Sequence, residues 1–361
     1  AIIVLDGDES NSSFDEILIS NNEYLTDDSF VEVISGASNT YRSPSFTNFD
    51  LTDNFGFGKE FLLFDDVGGA DNVTIENFTI SGNQLGNSTN VTSSSTFVWF
   101  NNYDSISDLT VQNFDIVSNE IYSSFLSRML TSSNGVFENY LIYNNSGSVS
   151  SYAVRLEDSI GDFVVTENEF DSFEIYLENS DGLVLDDQNV SDYFVYNSNF
   201  ILNDSSFGKI VFLDNITESG SSLFEDASSD IVFADNYVSL DSVGSPTLDV
   251  PANVTLYGVG ERGFTYLYIL RGDELCDGTT SPSCHNFTAL NDTDVKFNVS
   301  SWSNYSIGDL GYSPISSCQT ISSPGVYGLT RDLSSNDDCI VISSSDVVFD
   351  CIDRTINYSV I

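Results

Sequence analysis

Apolar residues recur through the first two thirds of the chain at positions i, i+2, i+5 and i+7. This spacing predicts two short strands that meet at a corner of one or two residues. Val73, Ile75, Phe78 and Ile80 define the pattern. The later copies are Leu109/Val111/Phe114/Ile116, Phe137/Tyr140/Ile142 after Gly135, Phe163/Val165/Asn168/Phe170, Leu183/Leu185/Gln188/Val190 and Ile231/Phe233/Asn236/Val238. The copies follow one another at about 26 residues, inside the range of 20 to 50 that is typical of solenoids.

Further short apolar runs lie between the copies, among them residues 61–64, 97–100, 152–156 and 209–213, and each is bounded by Ser, Asn, Asp or Gly. Helix signals are almost absent. A step with two or three short strands and polar corners predicts a right-handed parallel β-helix, in which each strand pairs with its equivalents about 4.8 Å above and below. The fold class is therefore all-β.

The i+5 place of the pattern changes character along the chain. Phe78, Phe114 and Tyr140 occupy it first, and Asn168, Gln188 and Asn236 occupy it in the later copies. The amides are either ligand contacts or an internal ladder that satisfies backbone groups at a corner. We favour the ladder, because buried polar groups in a solenoid need partners.

The pattern of apolar residues and the composition divide the chain into three parts. Residues 1–250 form the predicted β-helix with its N-terminal cap or first coils, residues 251–310 a small β-sandwich-like module, and residues 311–361 a terminal β segment. The module contains the Cys276/Cys284 loop, the lone His285, and Trp302 and Tyr305.

The net charge of -45 repels nucleic acids and anionic lipids, so neither is an expected partner. Salt, hydration or divalent cations can balance the charge. Residues 6–9 and 68–71 carry the oxygen ligands that calcium prefers, but without the spacing of a full calcium loop. We therefore interpret them as solvated turns, with weakly bound calcium as the open alternative, and we predict no metal site and no other cofactor.

Cysteines and sequons favour an extracellular location. Cys276 and Cys284 are spaced for a small disulfide, Cys318 and Cys339 are further disulfide candidates, and the pairing among Cys318, Cys339 and Cys351 stays open. Candidate sites for N-linked glycans are the fifteen sequons at Asn11, Asn72, Asn77, Asn87, Asn90, Asn144, Asn189, Asn203, Asn215, Asn253, Asn286, Asn291, Asn298, Asn304 and Asn357. No run approaches the roughly 20 apolar residues of a membrane span, and the N-terminus lacks a leader pattern, so we expect a processed or partial chain that does not insert into the membrane.

The segment from Cys318 reads C-x-x-I-x-x-P-G-x-Y-x-L, then C-I-V-I from Cys339 and V-V-F-D-C ending at Cys351. It resembles the opening turn of the archaeal extracellular parallel β-helix repeat proteins, and residues 253–308 resemble the small β module that such proteins carry. The resemblance implies a cell-surface protein. The sequence given stops at Ile361, one strand into the new β-helix that the resemblance implies. Open strand edges at both ends then predict head-to-tail stacking into a filament or sheath, with a monomeric fragment of a longer surface protein as the alternative.

Catalytic patterns are weak. Adjacent carboxylates occur at residues 65–66, 186–187 and 337–338, but neighbouring residues of a strand point to opposite faces. The only His lies in the other module, and the ten basic residues are scattered along the sequence. We predict no catalytic residue and an extracellular structural or adhesive homo-oligomer. The alternatives are a polysaccharide lyase or hydrolase, and a glycan-binding module with Trp99 and Tyr103 as first candidates.

Overall fold

The computed structural model describes residues 3–6, 13–26, 29–34, 45–65, 73–86, 95–101, 109–130, 135–224, 229–262, 264, 267–309, 311–352 and 354–358. In these ranges the protein is all-β. Its helical content is limited to two short 3₁₀ helices, Pro246–Leu248 and Val259–Arg262. Among the described residues, no helix combines the length and the hydrophobicity of a transmembrane span.

Eighteen strands form the first part: β1 (Ile3–Asp6), β2 (Ser13–Ser20), β3 (Glu23–Leu25), β4 (Ser29–Ile34), β5 (Ser45–Thr52), β6 (Phe55–Phe57), β7 (Glu60–Asp65), β8 (Val73–Ser81), β9 (Gln84–Leu85), β10 (Thr96–Asn101), β11 (Leu109–Val117), β12 (Glu120–Ser123), β13 (Phe125–Leu130), β14 (Gly135–Tyr143), β15 (Ser146–Val149), β16 (Val154–Glu157), β17 (Ile160–Thr166) and β18 (Glu169–Phe170). The next strands are β19 (Glu174–Glu178), β20 (Asp181–Asp186), β21 (Val190–Ser198), β22 (Phe200–Asp204), β23 (Gly208–Phe212), β24 (Ile216–Phe224), β25 (Ile231–Ala234) and β26 (Tyr237–Leu240). The last are β27 (Ala252–Leu256), β28 (Leu267–Arg271), β29 (Glu274–Leu275), β30 (Cys284–Asn286), β31 (Val295–Val299), β32 (Asn304–Asp309), β33 (Ser313–Ile315), β34 (Gln319–Ile321), β35 (Gly325–Leu329), β36 (Leu333–Ser335), β37 (Ile340–Ile342), β38 (Val347–Asp350) and β39 (Ile356–Tyr358).

Consecutive strands enter three different sheets in a fixed order, which we call one round. Sheet A has nine strands in the order β1-β4-β7-β10-β13-β16-β19-β21-β24. Sheet B has twelve, β2-β5-β8-β11-β14-β17-β20-β22-β23-β27-β31-β30, and sheet C six, β3-β6-β9-β12-β15-β18. From β1 to β22 every pairing within these sheets is parallel, for example Phe78 of β8 with Phe114 of β11. Each strand thus pairs with its equivalents in the rounds before and after it.

The predicted corner at i+3 to i+4 is a single residue in the middle of a continuous strand. In β8 this residue is Asn77, whose φ of 57° kinks the strand so that Phe78 and Ile80 return to the buried face. Asn is among the residues that tolerate this left-handed conformation. The kink explains why the apolar spacing changes from two to three in the middle of each copy.

Stacked rings fill the core beneath sheet B. Phe49, Phe78, Phe114 and Tyr140 lie one above another, with ring centroids 4.5, 5.2 and 4.9 Å apart in that order. Phe64 of sheet A approaches the Phe78 ring edge-on at 5.6 Å. Such offset and edge-on pairs add about 0.5–1.5 kcal/mol each to the free energy of burial.

The buried column beneath sheet B continues through the ring of Phe163 and then the aliphatic side chain of Leu183, because β14 pairs Tyr140 with Phe163 and β17 pairs Phe163 with Leu183. The predicted replacement of the rings by Asn168 and Gln188 is therefore wrong. Both amides belong to a separate column at the corner between sheets B and C. Asn236 lies outside both columns, where its side-chain amide donates to Ile307 O (2.7 Å) and accepts from Ile307 N (3.1 Å).

The corner column is the internal amide ladder that we expected, and it runs through Asn22, Asn54, Asn83, Asn119, Asn145, Asn168 and Gln188. At a typical rung, Asn119 Nδ2 donates to Asn145 Oδ1 (2.9 Å) and to Ile80 O (2.9 Å). Asn119 Oδ1 in turn accepts from the backbone N–H and the side chain of Asn83 (2.9 and 3.0 Å). The buried amides therefore replace the backbone partners that a sharp corner lacks.

From Asn83 onward the rounds become shorter along the chain. Successive ladder residues are 36 residues apart between Asn83 and Asn119, then 26, 23 and finally 20 between Asn168 and Gln188. Sheet C ends at β18, so the later rounds contribute strands to sheets A and B alone.

After β22 the direction of pairing changes. Strand β23 is antiparallel to β22, and β27 and β31 extend sheet B in the same way. The last predicted copy, around Phe233 and Val238, is an antiparallel hairpin of β25 and β26 in a five-stranded sheet, β25-β26-β32-β28-β29. Its interpretation as another parallel step is wrong.

Hydrogen bonds and packing cross the boundary that we predicted at residue 251. Strand β27 pairs with β23, and Phe297 and Trp302 share one hydrophobic core with the earlier rounds. The terminal segment has a small core of its own around Ile315, Ile321 and Leu329. Its strands form three further parallel sheets, β33-β35-β38, β34-β37 and β36-β39. The division into three domains stays a prediction.

Candidate functional site

One outward-facing column of sheet A combines aromatic rings with cations. Trp99 pairs with Arg128, Arg128 with Arg155, Arg155 with Tyr176, and Tyr176 with Phe194 in the parallel register of β10, β13, β16, β19 and β21. Each of these side chains is half-buried. Because equivalent residues of paired strands lie side by side, the five form a continuous stripe, which we call the aromatic–arginine column.

The contacts within the column are close. The Arg128 guanidinium lies 4.8 Å from the centroid of the Trp99 ring, and the Lys59 ammonium lies 5.9 Å from the same ring. Arg155 lies 4.6 Å from the Tyr176 ring, which stacks on Phe194 at 4.7 Å. Cation–π contacts at such distances stabilise by about 0.5–1 kcal/mol where water still reaches them.

Carboxylates flank the column on the same face. Tyr176 Oη donates to Glu178 Oε2 (2.6 Å), and Arg155 forms an ion pair with Glu157. Burial, followed by this hydrogen bond to Glu178, raises the pKa of Tyr176 to about 12. Burial and the neighbouring charge of Asp192 also raise the pKa of Glu174 above its ordinary value. The face therefore presents hydrogen-bond acceptors beside its cations.

A surface cavity of about 450 Å³ lies at one end of the column. Lys59, Trp99, Phe125 and Arg128 line it together with the side chains of Thr96, Ser124, Ser150 and Ser151. The indole Nε1 of Trp99 is buried and has no hydrogen-bond partner among the described residues. Aromatic faces, hydroxyls and cations in one depression can hold a sugar ring by stacking and by hydrogen bonds, and can attract an acidic substituent.

Sequence reasoning singled out Trp99 but missed the residues around it. The ten basic residues are scattered in sequence, but the fold brings Lys59, Arg128 and Arg155 to one face. The sequence did contain a signal for this cluster. Trp99, Arg128 and Arg155 each lie between two apolar or small residues of a short strand, in the position that faces outward. Tyr103, the other aromatic candidate, lies outside the described residues.

The cysteines form two disulfides. Cys276 is joined to Cys284 and Cys318 to Cys339, with Cα atoms 5.5 and 4.3 Å apart. Cys351 is exposed and is not part of a disulfide. Two disulfides in one chain are typical of proteins that fold in an oxidising compartment.

The sequons in the described part of the chain lie at the surface. Asn77, Asn144, Asn189, Asn215, Asn286, Asn291 and Asn357 are exposed, and Asn203, Asn253, Asn298 and Asn304 are half-buried. Asn11, Asn72, Asn87 and Asn90 lie outside the described residues.

The two carboxylates of the pair at residues 186–187 have different surroundings. Asp187 is exposed at a corner with φ 48°, where its carboxylate accepts from Ser205 N, whereas Asp186 accepts from Asn203 on the adjacent strand. Asp337 and Asp338 are both exposed, and Asp66 and residues 7–9 and 68–71 lie outside the described part. His285 is exposed on β30. Within the described ranges, no group of three or more His, Cys, Asp or Glu side chains is arranged to hold a metal ion.

Comparison of the chain with protein-family models, with curated proteins and with solved structures gave no significant match.

Proposed function

We propose that this chain is an extracellular structural and adhesive protein of a cell surface, and that it binds carbohydrate along the outer face of sheet A. Its rounds wind as a right-handed parallel β-helix, a form in which backbone hydrogen bonds hold a long, regular face in place. The recurring order of sheets A, B and C and the parallel registers support this winding.

The observation that carries the proposal is the aromatic–arginine column. In a chain of net charge -45, Lys59, Arg128 and Arg155 gather on one strip beside exposed parts of Trp99 and Tyr176. These side chains lie on the outer face of sheet A, so packing of the hydrophobic core does not explain why they are grouped. Ring faces stack on sugars, and the guanidinium groups favour polysaccharides that carry carboxylates.

The surface location of the sequons and the two disulfides support the extracellular part of the proposal. The resemblance of the segment from Cys318 to Cys351 to archaeal extracellular β-helix repeat proteins points the same way. N-linked glycans on the exposed sequons would add solvation to an already hydrophilic surface.

Affinity electrophoresis in gels that contain polygalacturonate tests the carbohydrate-binding face. We expect the parent chain to be retarded relative to a gel without polysaccharide. We expect Trp99→Ala and Arg128→Gln to weaken binding by roughly 10-fold, because each removes a stacked partner or a charge-assisted contact. Lys296→Gln makes the same change of charge on an exposed part of sheet B and serves as the matched control.

Equal retardation of Arg128→Gln, Lys296→Gln and the parent chain would contradict a site on sheet A. Release of unsaturated or reducing sugar from the polysaccharide, with or without calcium, would instead favour the alternative of a lyase or hydrolase.

A second function, self-assembly into a filament or sheath, is favoured by the edges of the described strands. Strands β37, β38 and β39 are each the last of their sheet, and they expose Ile342, Val348 and Tyr358 to 50, 59 and 68%. Strands β1, β2 and β3 are the corresponding first strands of sheets A, B and C. We propose that the first strands of a second copy extend the three terminal sheets, as strand addition does elsewhere.

A further inference from the structure

A second group of cations surrounds a cleft far from sheet A in the sequence. Arg271 ends β28, Arg331 follows β35, and Arg354 lies between β38 and β39. All three line a cavity of about 420 Å³ between the β28–β29 hairpin with its disulfide loop and the terminal segment. This volume falls in the range of roughly 300–1,000 Å³ that is usual for small-ligand sites.

The arginines of this cleft form no ion pair with any carboxylate that the structure describes. Lys59, Arg155 and Arg262 each form an ion pair with a carboxylate, but among the described residues Arg271, Arg331 and Arg354 do not. Arg331 Nε donates instead to Ser316 O (2.6 Å), which holds its side chain against the cleft wall. The lining thus brings three of the ten basic residues of the chain together around one cavity.

The walls of the cleft are fixed by covalent and packing contacts. The Cys276–Cys284 disulfide closes one wall, and within its loop Thr280 Oγ1 donates to Pro282 O (2.7 Å). On the opposite wall, Tyr312 and Ile352 pack directly over Gly328, where a Cβ atom would come within 2.7 and 2.4 Å of their side chains. Preformed walls reduce the entropy that a ligand must overcome on binding.

The lining also carries acceptors. Asp273, Glu274 and Asp277 contribute carboxylates, and Tyr312 contributes a half-buried ring. Carboxylates repel a polyanion but accept hydrogen bonds from hydroxyl groups, whereas guanidinium groups bind a single carboxylate in a bidentate manner. A ligand that satisfies both kinds of group has one carboxylate and several hydroxyls.

We propose that this arginine cleft binds a sugar acid, the chemistry of a uronic acid, through Arg271, Arg331 and Arg354. The site is separate from the aromatic–arginine column and does not depend on it. It gives the protein a second point of recognition, for a single acidic sugar residue rather than for a polysaccharide strand.

Isothermal titration calorimetry of the 361-residue chain with D-galacturonate tests this site, with D-galactose as the neutral comparison and inorganic phosphate as the comparison anion. We expect saturable binding of galacturonate and at least about 10-fold weaker binding of galactose and phosphate. Arg354→Gln should weaken galacturonate binding by at least about 10-fold, because it removes one charge-assisted partner. Lys296→Gln, which makes the same change of charge at an exposed place on sheet B outside both cavities, should leave it unchanged.

Circular dichroism and the melting temperature show whether Arg354→Gln keeps the fold, and Arg331→Lys supplies a second variant that retains the charge but loses the planar fork. Absence of galacturonate binding by the folded parent chain overturns the proposal. So does equal affinity for phosphate, or for galactose, or an unchanged affinity in folded Arg354→Gln. Loss of polygalacturonate retardation with intact galacturonate binding would instead count against sheet A alone.

Discussion

At the scale of single residues, the corner between sheets B and C shows how polar side chains hold this fold. Each ladder amide follows a residue with positive φ: Asn21, Asp53, Gly82, Ser118, Asn144, Glu167 and Asp187. This residue turns the chain sharply, and the amide after it then satisfies the backbone groups that the turn exposes. A second, shorter ladder uses serine in the same way, with Ser159 N donating to Ser180 Oγ (3.1 Å) and Ser180 N to Ser198 Oγ (2.8 Å).

Asn119→Ala tests the energetic role of the buried ladder. We expect the free energy of unfolding to fall by about 3–5 kcal/mol, because the backbone N–H and side chain of Asn83 and the carbonyl of Ile80 lose partners in a buried place. Urea denaturation followed by circular dichroism measures the change.

The matched control is Asn113→Gly in the exposed ladder Asn48–Asn77–Asn113–Asn139, where water can replace the lost partners. Glycine also accepts the φ of 53° at this position. We expect a change below about 1 kcal/mol there. A similar decrease in the free energy of unfolding of both variants would show that burial of the amide ladder does not add to its stabilising effect.

At the scale of elements, close approach between neighbouring strands sets which residues a strand can contain. Strands β17 and β20 change register between Ile160 and Phe163, next to Gly161. At this irregularity a Cβ atom on Gly182 would lie 1.6 Å from Gly161 O, and Gly182 itself has a φ of 94°. The backbones of β17 and β20 can approach this closely only because neither residue has a side chain.

Gly182→Ala is therefore expected to lower the free energy of unfolding by about 2–5 kcal/mol, from backbone strain and overpacking together. Gly258→Ala is the matched control, because Gly258 has a similar positive φ of 66° but no atom within 4 Å of the added Cβ. It should cost only the conformational strain, about 1–2 kcal/mol. Thermal or urea denaturation compares the two, and equal costs would argue against close packing of β17 and β20.

At the scale of the whole molecule, charge opposes the self-assembly that the open strand edges favour. Each copy carries a net charge of -45, so two copies repel each other strongly at low ionic strength. Salt shortens the range of this repulsion from about 30 Å at 0.01 M to about 3 Å at 1 M, whereas strand pairing and apolar contacts persist.

We therefore expect the chain to remain dispersed at 0.01 M NaCl and to form linear particles near 1 M NaCl, as measured by sedimentation velocity and negative-stain electron microscopy. Val348→Lys should prevent growth, because it places a charge on the edge strand β38. Val243→Lys makes the same change at a side chain that is 89% exposed elsewhere and should assemble normally. Dispersed parent chain at both salt concentrations would contradict assembly through these edges.

The sequence by itself determined the strands and the buried residues of the early rounds. The spacing from Val73 to Ile80 is a local property, set by the alternation of a strand and one kink at Asn77, so it can be read without knowing any partner strand. The disulfide loop at Cys276 and Cys284 is local in the same sense.

Only the tertiary structure decided which strands are neighbours. The sequence pattern assigned Asn168 to the i+5 place, but the strand pairing gives that place to Phe163. A pattern with a fixed period could not distinguish the two residues, because the rounds shorten from 26 to 20 residues. The hairpin of β25 and β26 has the apolar spacing of a parallel step but pairs with itself. Strand pairing likewise assembled the aromatic–arginine column and the arginine cleft from residues far apart in sequence. The local spacing of apolar residues determines which side of a strand is buried. The lengths of the connections determine which strand lies next to it.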